Sequence, residues 1–199
     1  MKSKLIFSAI ICAQLLSAQN PVVNITNRVG NPPDGIYYKD LNNLLNPFEG
    51  TWLYTNGNTT VKFVLIKKVL QQNHLHYEDL IIGEYLYIKN GQTIVNTLGM
   101  IDNNYSNQRQ HSINGNQILS NNSIPRCPEC NPEEKRLSVS FIDPIADFPG
   151  RAVFRLVEVS GNPAILVNIR MSGKTLNPEE FYEYTEPVCP TGEFLLLRQ

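Results

Sequence analysis

The feature of this sequence that most constrains its fold is the regular spacing of tight-turn signals between short runs of alternating hydrophobicity. Asn-Gly pairs occur at 56–57, 90–91 and 114–115, and Gly-Asn-Pro occurs at 161–163. Asn-Gly favours the type I′ turn, whose twist matches that of two paired antiparallel strands. We therefore predict that each of these turns joins two neighbouring strands of an antiparallel sheet.

The runs between the turns alternate in hydrophobicity with a period of two, which is typical of strands with one buried face. The strictest alternation lies in 137–141 and 165–171. The side chains that it predicts to face the core are Leu137, Val139, Phe141, Ile165, Val167 and Ile169. A third run over 61–65 has the same pattern, but Lys67 takes the next inward position, which predicts a bulge or a strand end.

The rest of the chain adds further strand-like runs and little helical periodicity. The other candidate strands are 51–55, 75–81, 84–89, 92–98, 151–159 and 193–198. Short helical turns are predicted at 40–45 and at 177–181, where an asparagine and a proline suit a helix start. About nine or ten antiparallel strands joined by hairpins make either an up-and-down β-barrel or a β-sandwich.

Composition supports one folded all-β domain and excludes some other classes. Of the 199 residues, 42% are hydrophobic and 18% are charged, which excludes a disordered chain and a coiled coil. The net charge is −1 and no basic run occurs, which argues against a nucleic-acid partner. Because no shift of composition marks a boundary, we predict that residues 19–199 form a single domain that contains the long loop 120–134.

The amino terminus has the layout of a secretory signal peptide. Two lysines precede an apolar run over 5–16, and Ser17-Ala18 stands before Gln19. We predict that residues 1–18 are removed and that the mature chain is exported to the periplasm or the extracellular space. A lipoprotein signal, with Cys12 as the lipidated residue, is the alternative. No later stretch reaches the ~20 apolar residues of a membrane-spanning helix, so no transmembrane segment is expected in the mature chain.

Export determines how the cysteines are interpreted. Once Cys12 is removed, Cys127, Cys130 and Cys189 remain, an odd number for an oxidising compartment. The favoured prediction is a structural disulfide between Cys189 and either Cys127 or Cys130. The alternatives are a local Cys127–Cys130 bridge, free thiols, and metal or redox chemistry at the Cys-Pro-Glu-Cys motif. A zinc ribbon would need a second cysteine pair, which the sequence lacks.

No motif in the sequence predicts a catalytic site, a metal site or a cofactor. Nucleophile elbows, phosphate-binding loops and dinucleotide fingerprints do not occur. His74 and His76 would share one side of a strand, a spacing that can bind metal but more often marks exposed positions. Glu49, Asp79 and Glu84 could supply an acid–base pair, but the sequence does not bring any two of them together.

One short motif favours a barrel over a sandwich. Gly50-Thr51-Trp52 opens the first long strand, after the short helical turn predicted at 40–45. This arrangement resembles the first-strand signature of lipocalin-like barrels, in which the tryptophan closes one end. The resemblance implies that Gly50 and Trp52 are structural and that Arg198, at the end of the last strand, packs across the Trp52 ring by a cation–π contact. The alternative is that Trp52 is simply a core aromatic.

The chain as a whole resembles a group of exported proteins of unknown function from Bacteroidetes-type bacteria. The resemblance rests on the signal, on 34–40, on 48–52 and on the closing segment 197–199, and it implies no activity. Three functions stay open: a non-catalytic envelope or extracellular interaction protein, a carrier of one small apolar ligand in the barrel mouth, and, less favoured, an enzyme. A packed interior favours the first, a cavity the second, and carboxylates or histidines converging in a cleft the third.

Overall fold

Strands make up almost all of the regular structure in the described part of this protein. The computed structural model describes residues 20–172 and 186–199, so the predicted signal peptide 1–18 and the helical turn predicted at 177–181 lie outside the described residues. The strands are β1 Val22–Asn24, β2 Tyr37–Lys39, β3 Gly50–Asn56, β4 Thr59–Asn73, β5 His76–Lys89, β6 Gln92–Asn96, β7 Ile113–Leu119, β8 Arg136–Asp143, β9 Phe148–Val159, β10 Asn162–Met171 and β11 Gly192–Arg198. Short 3₁₀ helices span Asn46–Phe48, Leu98–Met100 and Gln108–Gln110.

Eight of the strands form a closed antiparallel β-barrel. The strands β3, β4 and β5 pair in sequence order, and so do β7 to β11. Two further pairings, of β3 with β11 and of β5 with β7, close the cylinder. This meander is the up-and-down barrel predicted from the sequence, whereas a sandwich would consist of two separate sheets packed face to face.

One edge of β5 is shared by three partner strands. Along that edge, the first residues pair with the parallel strand β2, the middle of the strand pairs with β7, and the last residues pair with β6. The strand β1 extends the sheet beyond β2. The strands that precede the barrel and the connection between β6 and β7 therefore lie beside the seam where β5 meets β7.

The residues predicted to face the core are buried. The six side chains named from 137–141 and 165–171 are each at most 2% exposed, which confirms the predicted strand phases. Inside the barrel, the ring centroid of Phe63 lies 6.4, 6.1 and 6.0 Å from those of Tyr85, Phe141 and Phe154. Aromatic pairs of this kind contribute ~0.5–1.5 kcal/mol each beyond the burial of their surface.

Three of the four predicted turns join neighbouring strands, and the fourth does not. The pairs at 56–57 and 90–91 and the triplet at 161–163 lie at the β3–β4, β5–β6 and β9–β10 hairpins. The prediction at 114–115 is wrong, because this pair lies within β7. Gly115 has a φ of +152°, and a Cβ there would lie 3.0 Å from the Cα of Val139, so this glycine permits the close approach of two strands.

The two strands predicted at 75–81 and 84–89 form the single strand β5. Gly83, which separates the two predicted runs, remains paired with Leu65 of β4. A Cβ at Gly83 would lie 2.9 Å from the carbonyl oxygen of Val64. The glycine is therefore required by close packing inside a continuous strand and does not mark a break.

The helical turn predicted at 40–45 forms further along the chain, at Asn46–Phe48. The carboxylate of Asp40 accepts the backbone N–H groups of Leu44 and Leu45 at 2.8 and 2.9 Å. A side chain that binds nearby backbone donors in this way competes with helical hydrogen bonds. Residues 40–45 consequently form turns and not a helix, among them one in which the Asn43 N–H donates to the Asp40 carbonyl oxygen at 3.3 Å, and they lead into the 3₁₀ helix before β3.

The irregularity predicted at Lys67 exists, but it is a bulge and lies slightly later in β4. The pairing register with β5 shifts between Lys68 and Gln71, and β4 then continues to Asn73. The ammonium group of Lys67 lies 2.8 Å from the carboxylate of Asp40, which neutralises its charge at the inward position.

The favoured disulfide prediction is wrong, because Cys127 pairs with Cys130 and Cys189 is a free thiol. A turn in which the Cys130 N–H donates to the Cys127 carbonyl oxygen brings the two Cα atoms to 5.3 Å, an ordinary disulfide separation. The backbone N–H of Cys189 instead donates to the buried carboxylate of Asp143 at 3.0 Å. Burial and the charge of Asp143 raise the pKa of Cys189 to about 12, so this thiol stays protonated.

Candidate functional site

Three buried carboxylates lie on β5, where successive side chains point to opposite faces of the barrel wall. Asp79 has the same parity as the core residues Ile81 and Tyr85, whereas Glu78 and Glu84 share the outer face. All three carboxylates are at most 2% exposed. A buried charge is stable only when hydrogen-bond donors or cations replace its water, so each carboxylate needs its own set of partners.

Glu78 has the most partners of the three. Arg109 donates Nε to Oε1 at 2.6 Å and Nη2 to Oε2 at 2.9 Å, which is a two-point pairing of guanidinium and carboxylate. Arg28 donates Nη2 to Oε2 at 3.0 Å. The side-chain amides of Asn73 and Asn116 donate to Oε1 at 2.9 Å and to Oε2 at 3.0 Å. We call these five residues the Glu78 cluster.

Different parts of the chain bring the partners to Glu78. Asn116 lies on β7, close to the seam with β5, and Asn73 ends β4. Arg109 lies in a 3₁₀ helix whose start is capped by Asn107, because the side-chain oxygen of Asn107 accepts the backbone N–H of Arg109 at 3.0 Å. Arg28 lies in the connection between β1 and β2. The segments other than β4 can reach Glu78 because β2, β6 and β7 pair along the same edge of β5.

The environment of Glu78 keeps its carboxylate ionised and the whole cluster positively charged. Burial opposes the charge, but the bonds from Arg109, Arg28 and Asn116 outweigh burial and hold the pKa of Glu78 at about 2. Burial lowers the pKa of the nearby His76, which is therefore neutral at pH 7. Two guanidiniums and one carboxylate leave one net positive charge. The side chains of Arg28 and Arg109 are 39% and 29% exposed, so this charge reaches the surface.

Asp79 accepts hydrogen bonds from three segments of the chain that surround one end of β5. Its Oδ1 accepts the hydroxyl of Tyr37 at 2.5 Å and the N–H of Leu70 at 3.0 Å, and its Oδ2 accepts the N–H of Asp40 at 2.9 Å. Burial, followed by the bond to Asp79, raises the pKa of Tyr37, so its hydroxyl stays a donor at neutral pH. These contacts join β2, the bulge of β4 and the turn before β3 to β5, which is a structural role.

Glu84 is the centre of a second enclosed polar group on the outer face. The Nδ1 atom of His111 lies 2.8 Å from Oε1, and the hydroxyl of Ser112 donates to Oε2 at 2.7 Å. The ring of Tyr105 packs edge-on against His111, with the centroids 4.9 Å apart. In a nucleophilic triad the serine donates to the histidine, whereas here Ser112 donates to the carboxylate. The group therefore has the residue types of a triad without its order of hydrogen bonds.

The residues of the lipocalin-like motif lie together where β3 meets β11. Trp52 is fully buried, and its indole Nε1 donates to the carbonyl oxygen of Phe48 at 2.9 Å. The guanidinium carbon of Arg198 lies 5.4 Å from the Trp52 ring centroid, and its Nη2 donates to the carbonyl oxygen of Glu49 at 3.0 Å. Gly50 has a φ of +130°, and a Cβ there would lie 3.3 Å from the Arg198 guanidinium. These contacts are consistent with the structural roles that the resemblance implies.

The other candidates from the sequence do not form the sites considered for them. His74 occupies the turn before β5 with a φ of +54°, so His74 and His76 do not share one face of a strand. Asp79 and Glu84 lie on opposite faces of β5, which prevents them from forming an acid–base pair. Glu49 accepts a backbone N–H of β4 at 2.9 Å and so supports the wall of the barrel.

The Cys-Pro-Glu-Cys motif brings potential metal ligands close together. Ligand atoms of Cys127, Glu129 and Cys130 all lie within 4.8 Å of one another. Metals bind cysteine as a thiolate, however, and both sulfurs are committed to the disulfide. In this oxidised state the motif is a turn closed by a structural disulfide.

The Glu78 cluster was not identifiable from a sequence motif. Arg28, Asn73, Arg109 and Asn116 reach Glu78 from 50, 5, 31 and 38 residues away along the chain. One signal was available, because two adjacent acidic residues at 78–79 directly precede an apolar run. Carboxylates at the start of a buried strand need partners, so that signal could have identified the acids but not the residues that bind them.

Fold and site together define a closed antiparallel β-barrel whose outer wall holds a buried carboxylate bound by two arginines. The chain belongs to a family of unknown function, DUF6705, which it matches over residues 1–196. Comparison with curated proteins and with solved structures finds no match. Within residues 20–172 and 186–199, no helix is long and apolar enough to cross a membrane.

Proposed function

We propose that this protein is an exported, non-catalytic interaction protein of the periplasm or the extracellular space, and that it binds its partner on the outer surface of the barrel. The observation that carries the proposal is the packing of the barrel interior by large aromatic side chains. A carrier of a small apolar ligand needs an internal site, typically of ~300–1,000 Å³.

Aromatic rings from opposite walls of the barrel meet across its interior. Phe63 lies on β4 and Phe154 on β9, two strands on opposite sides of the closed ring, and their centroids are 6.0 Å apart. Tyr85 and Phe141 fill the space beside them, with centroids 4.8 Å apart. An apolar ligand at this level would have to displace rings whose removal costs ~3–5 kcal/mol each. The packing of the interior therefore favours a structural core over a carrier function.

The outer surface of the barrel has features that suit a macromolecular partner. Leu195 and Leu197, on the outer face of β11, are 39% and 41% exposed, and Leu53 of β3 pairs with Leu197. Apolar side chains exposed next to one another on a sheet support contact with another protein. The Glu78 cluster adds a positive charge at another part of the wall.

Export is supported by the disulfide and by the layout of the amino terminus. A structural disulfide such as Cys127–Cys130 persists in an oxidising compartment and is rare in the cytosol. Fractionation of the native host, followed by terminal sequencing, tests this part of the proposal. We expect a mature chain that begins at Gln19 and is unaffected by Cys12→Ser. An acylated Cys12, or an uncleaved chain in the cytosol, would contradict it.

Native mass spectrometry of the protein purified from its own host tests the mode of binding. We expect a polypeptide without a bound apolar small molecule. A protein partner that accompanies the wild type and is lost from Leu197→Glu, with folding unchanged, would support the proposal. An apolar molecule that is released only on unfolding would identify a carrier and contradict it.

A further inference from the structure

We propose that the Glu78 cluster is a binding site for a carboxylate group, which Arg28 holds at the outer wall of the barrel. This inference deepens the proposed function by naming the chemistry that a partner would present. It rests on the proposed function only for the identity of the molecule that carries the carboxylate.

Arg28 has hydrogen-bonding capacity that the fold does not use. Its Nη2 donates to Oε2 of Glu78 at 3.0 Å and to Oδ1 of Asn116 at 2.7 Å. Its Nε and Nη1 carry the remaining N–H groups, and these have no acceptor among the described residues. Arg109, by contrast, uses its Nε and Nη2 on Glu78. The Arg28 side chain is 39% exposed, so a ligand can approach it from solvent.

Arg28 is also held in a fixed orientation, unlike an ordinary surface arginine. Its guanidinium carbon lies 4.7 Å above the ring centroid of Tyr38, which is itself buried. The bonds to Glu78 and Asn116 fix the direction of the guanidinium plane. A flexible arginine loses rotamer freedom when it binds a ligand, and here folding has already imposed that loss. Such preorganisation increases affinity for an anion.

Charge balance selects a singly charged anion for this site. Arg28 and Arg109 carry two positive charges, Glu78 carries one negative charge, and His76 is neutral at pH 7. One bound carboxylate makes the group neutral. A doubly charged phosphate would instead leave excess negative charge beside a buried carboxylate, where repulsion is poorly screened. On charge, the site therefore favours a carboxylate over a doubly charged phosphate.

An NMR titration of the full chain tests the proposal without any substitution. The side-chain Nε–Hε resonances of the arginines are followed while acetate, inorganic phosphate or chloride is added at constant ionic strength. We expect a saturable shift of the Arg28 resonance with acetate and a weaker response to phosphate. Arg151, exposed on β9, is the internal control and should not respond saturably. Equal responses of Arg28 to acetate and chloride, or tighter binding of phosphate, would overturn the proposal.

Two matched variants extend the test. Arg28→Gln should weaken acetate binding about tenfold or more, because it removes the charge-assisted bonds to the ligand. Arg151→Gln makes the same change of net charge and should leave the affinity within about twofold. An unchanged affinity of a folded Arg28→Gln variant would contradict the proposal. If that variant does not fold, the titration of the wild type decides.

Two short peptides identify the source of the carboxylate. One contains a glutamate and has an amidated carboxyl terminus, and the other has a free carboxyl terminus and no acidic side chain. Tighter binding of one peptide than of acetate indicates which kind of protein carboxylate is bound, whereas weaker binding of both peptides than of acetate indicates a small organic acid. An apolar molecule retained inside the barrel would refute the proposed function but leave the Arg28 titration unchanged, so the two failures are distinguishable.

Discussion

The barrel interior and the outer wall at β5 both exclude water, but they do so by opposite means. The interior contains aromatic rings such as those of Phe63 and Phe154, which pack with their centroids 6.0 Å apart and have no polar atom that needs a hydrogen bond. The outer wall contains Glu78, whose charge is stable only with its arginine and asparagine partners in place. Truncating a side chain in the apolar core lowers the free energy of unfolding roughly in proportion to the volume removed. Removing one partner of a buried charge network instead leaves another charge buried without compensation, which is strongly destabilising.

The same contrast bears on function. Inside the barrel, the rings of Phe63, Tyr85, Phe141 and Phe154 pack against one another and carry no charge that needs a partner. In the Glu78 cluster, distant segments of the chain meet at a single carboxylate, and Arg28 retains N–H groups that are not used in hydrogen bonds. A region that must balance charge can thus keep a binding capacity that a filled apolar core lacks.

The largest effect is expected when the interior is opened. Phe63→Ala should reduce the free energy of unfolding by ~3–5 kcal/mol, because the three neighbouring rings lose their contacts and a cavity remains. Equilibrium denaturation in urea measures this loss. The control Leu195→Ala, on the exposed face of β11, should change the free energy by no more than about 0.5 kcal/mol. A loss below about 1 kcal/mol for Phe63→Ala would show that the interior is loosely filled.

Removing the charge of Glu78 should cost nearly as much. Glu78→Gln keeps the shape but leaves two guanidiniums facing a neutral amide, and we expect a loss of about 3 kcal/mol at pH 7. The same denaturation experiment applies. The exposed Glu158→Gln is the matched control, with an expected change within about 0.5 kcal/mol. Equal effects of the two substitutions would mean that the Glu78 cluster contributes nothing to stability.

The contribution of Glu78 should depend on pH in a defined direction. Its pKa is about 2 in the folded state and 4.5 in the unfolded chain, so the folded state favours the charged form. The stabilisation, about 3 kcal/mol, is fully present above pH 4.5 and is lost as the pH falls towards 2. The difference in unfolding free energy between wild type and Glu78→Gln should therefore shrink over this range. A difference that stays constant from pH 6 to pH 2.5 would contradict the assigned pKa.

The smallest effect concerns the contact between Trp52 and Arg198. Arg198→Ala should cost about 1 kcal/mol, through the cation–π contact at 5.4 Å. In a double-mutant cycle, this loss should be smaller in the Trp52→Ala background, because the two side chains share the contact. Additive losses in denaturant would remove the energetic basis of the lipocalin-like motif and leave Trp52 as a core aromatic.

Features that depend on neighbouring residues could be predicted from the sequence. The alternation in 137–141 and 165–171 predicts the side chains that the structure buries. This prediction is possible because local periodicity determines which face of a strand each side chain occupies. The hairpin turns at 56–57 and 90–91 follow from the same local chemistry. The Asn-Gly pair at 114–115 was misread, because a close approach between β7 and β8 also requires glycine and leaves the same signature.

Features that depend on distant segments could not be predicted in the same way. Cys127 pairs with Cys130, and the backbone of Cys189 is instead hydrogen-bonded to the carboxylate of Asp143. The spacing of the cysteines along the sequence carries no information about this contact with Asp143. Arg28 and Glu78 are 50 residues apart and meet only because β5 shares an edge with β2 and β7. The core was therefore largely predictable from the sequence, whereas the candidate site required the topology.

The central claim is that the barrel interior is filled and that binding takes place on its outer surface. The most direct test is a fluorescence titration of the wild-type protein with N-phenyl-1-naphthylamine, a neutral apolar probe that cannot pair with the arginines of the Glu78 cluster. We predict no saturable binding, because the rings of Phe63, Tyr85, Phe141 and Phe154 occupy the space that the probe would need. Saturable binding of one probe per chain, displaced by a long-chain alcohol, would contradict the account and identify the barrel as a carrier.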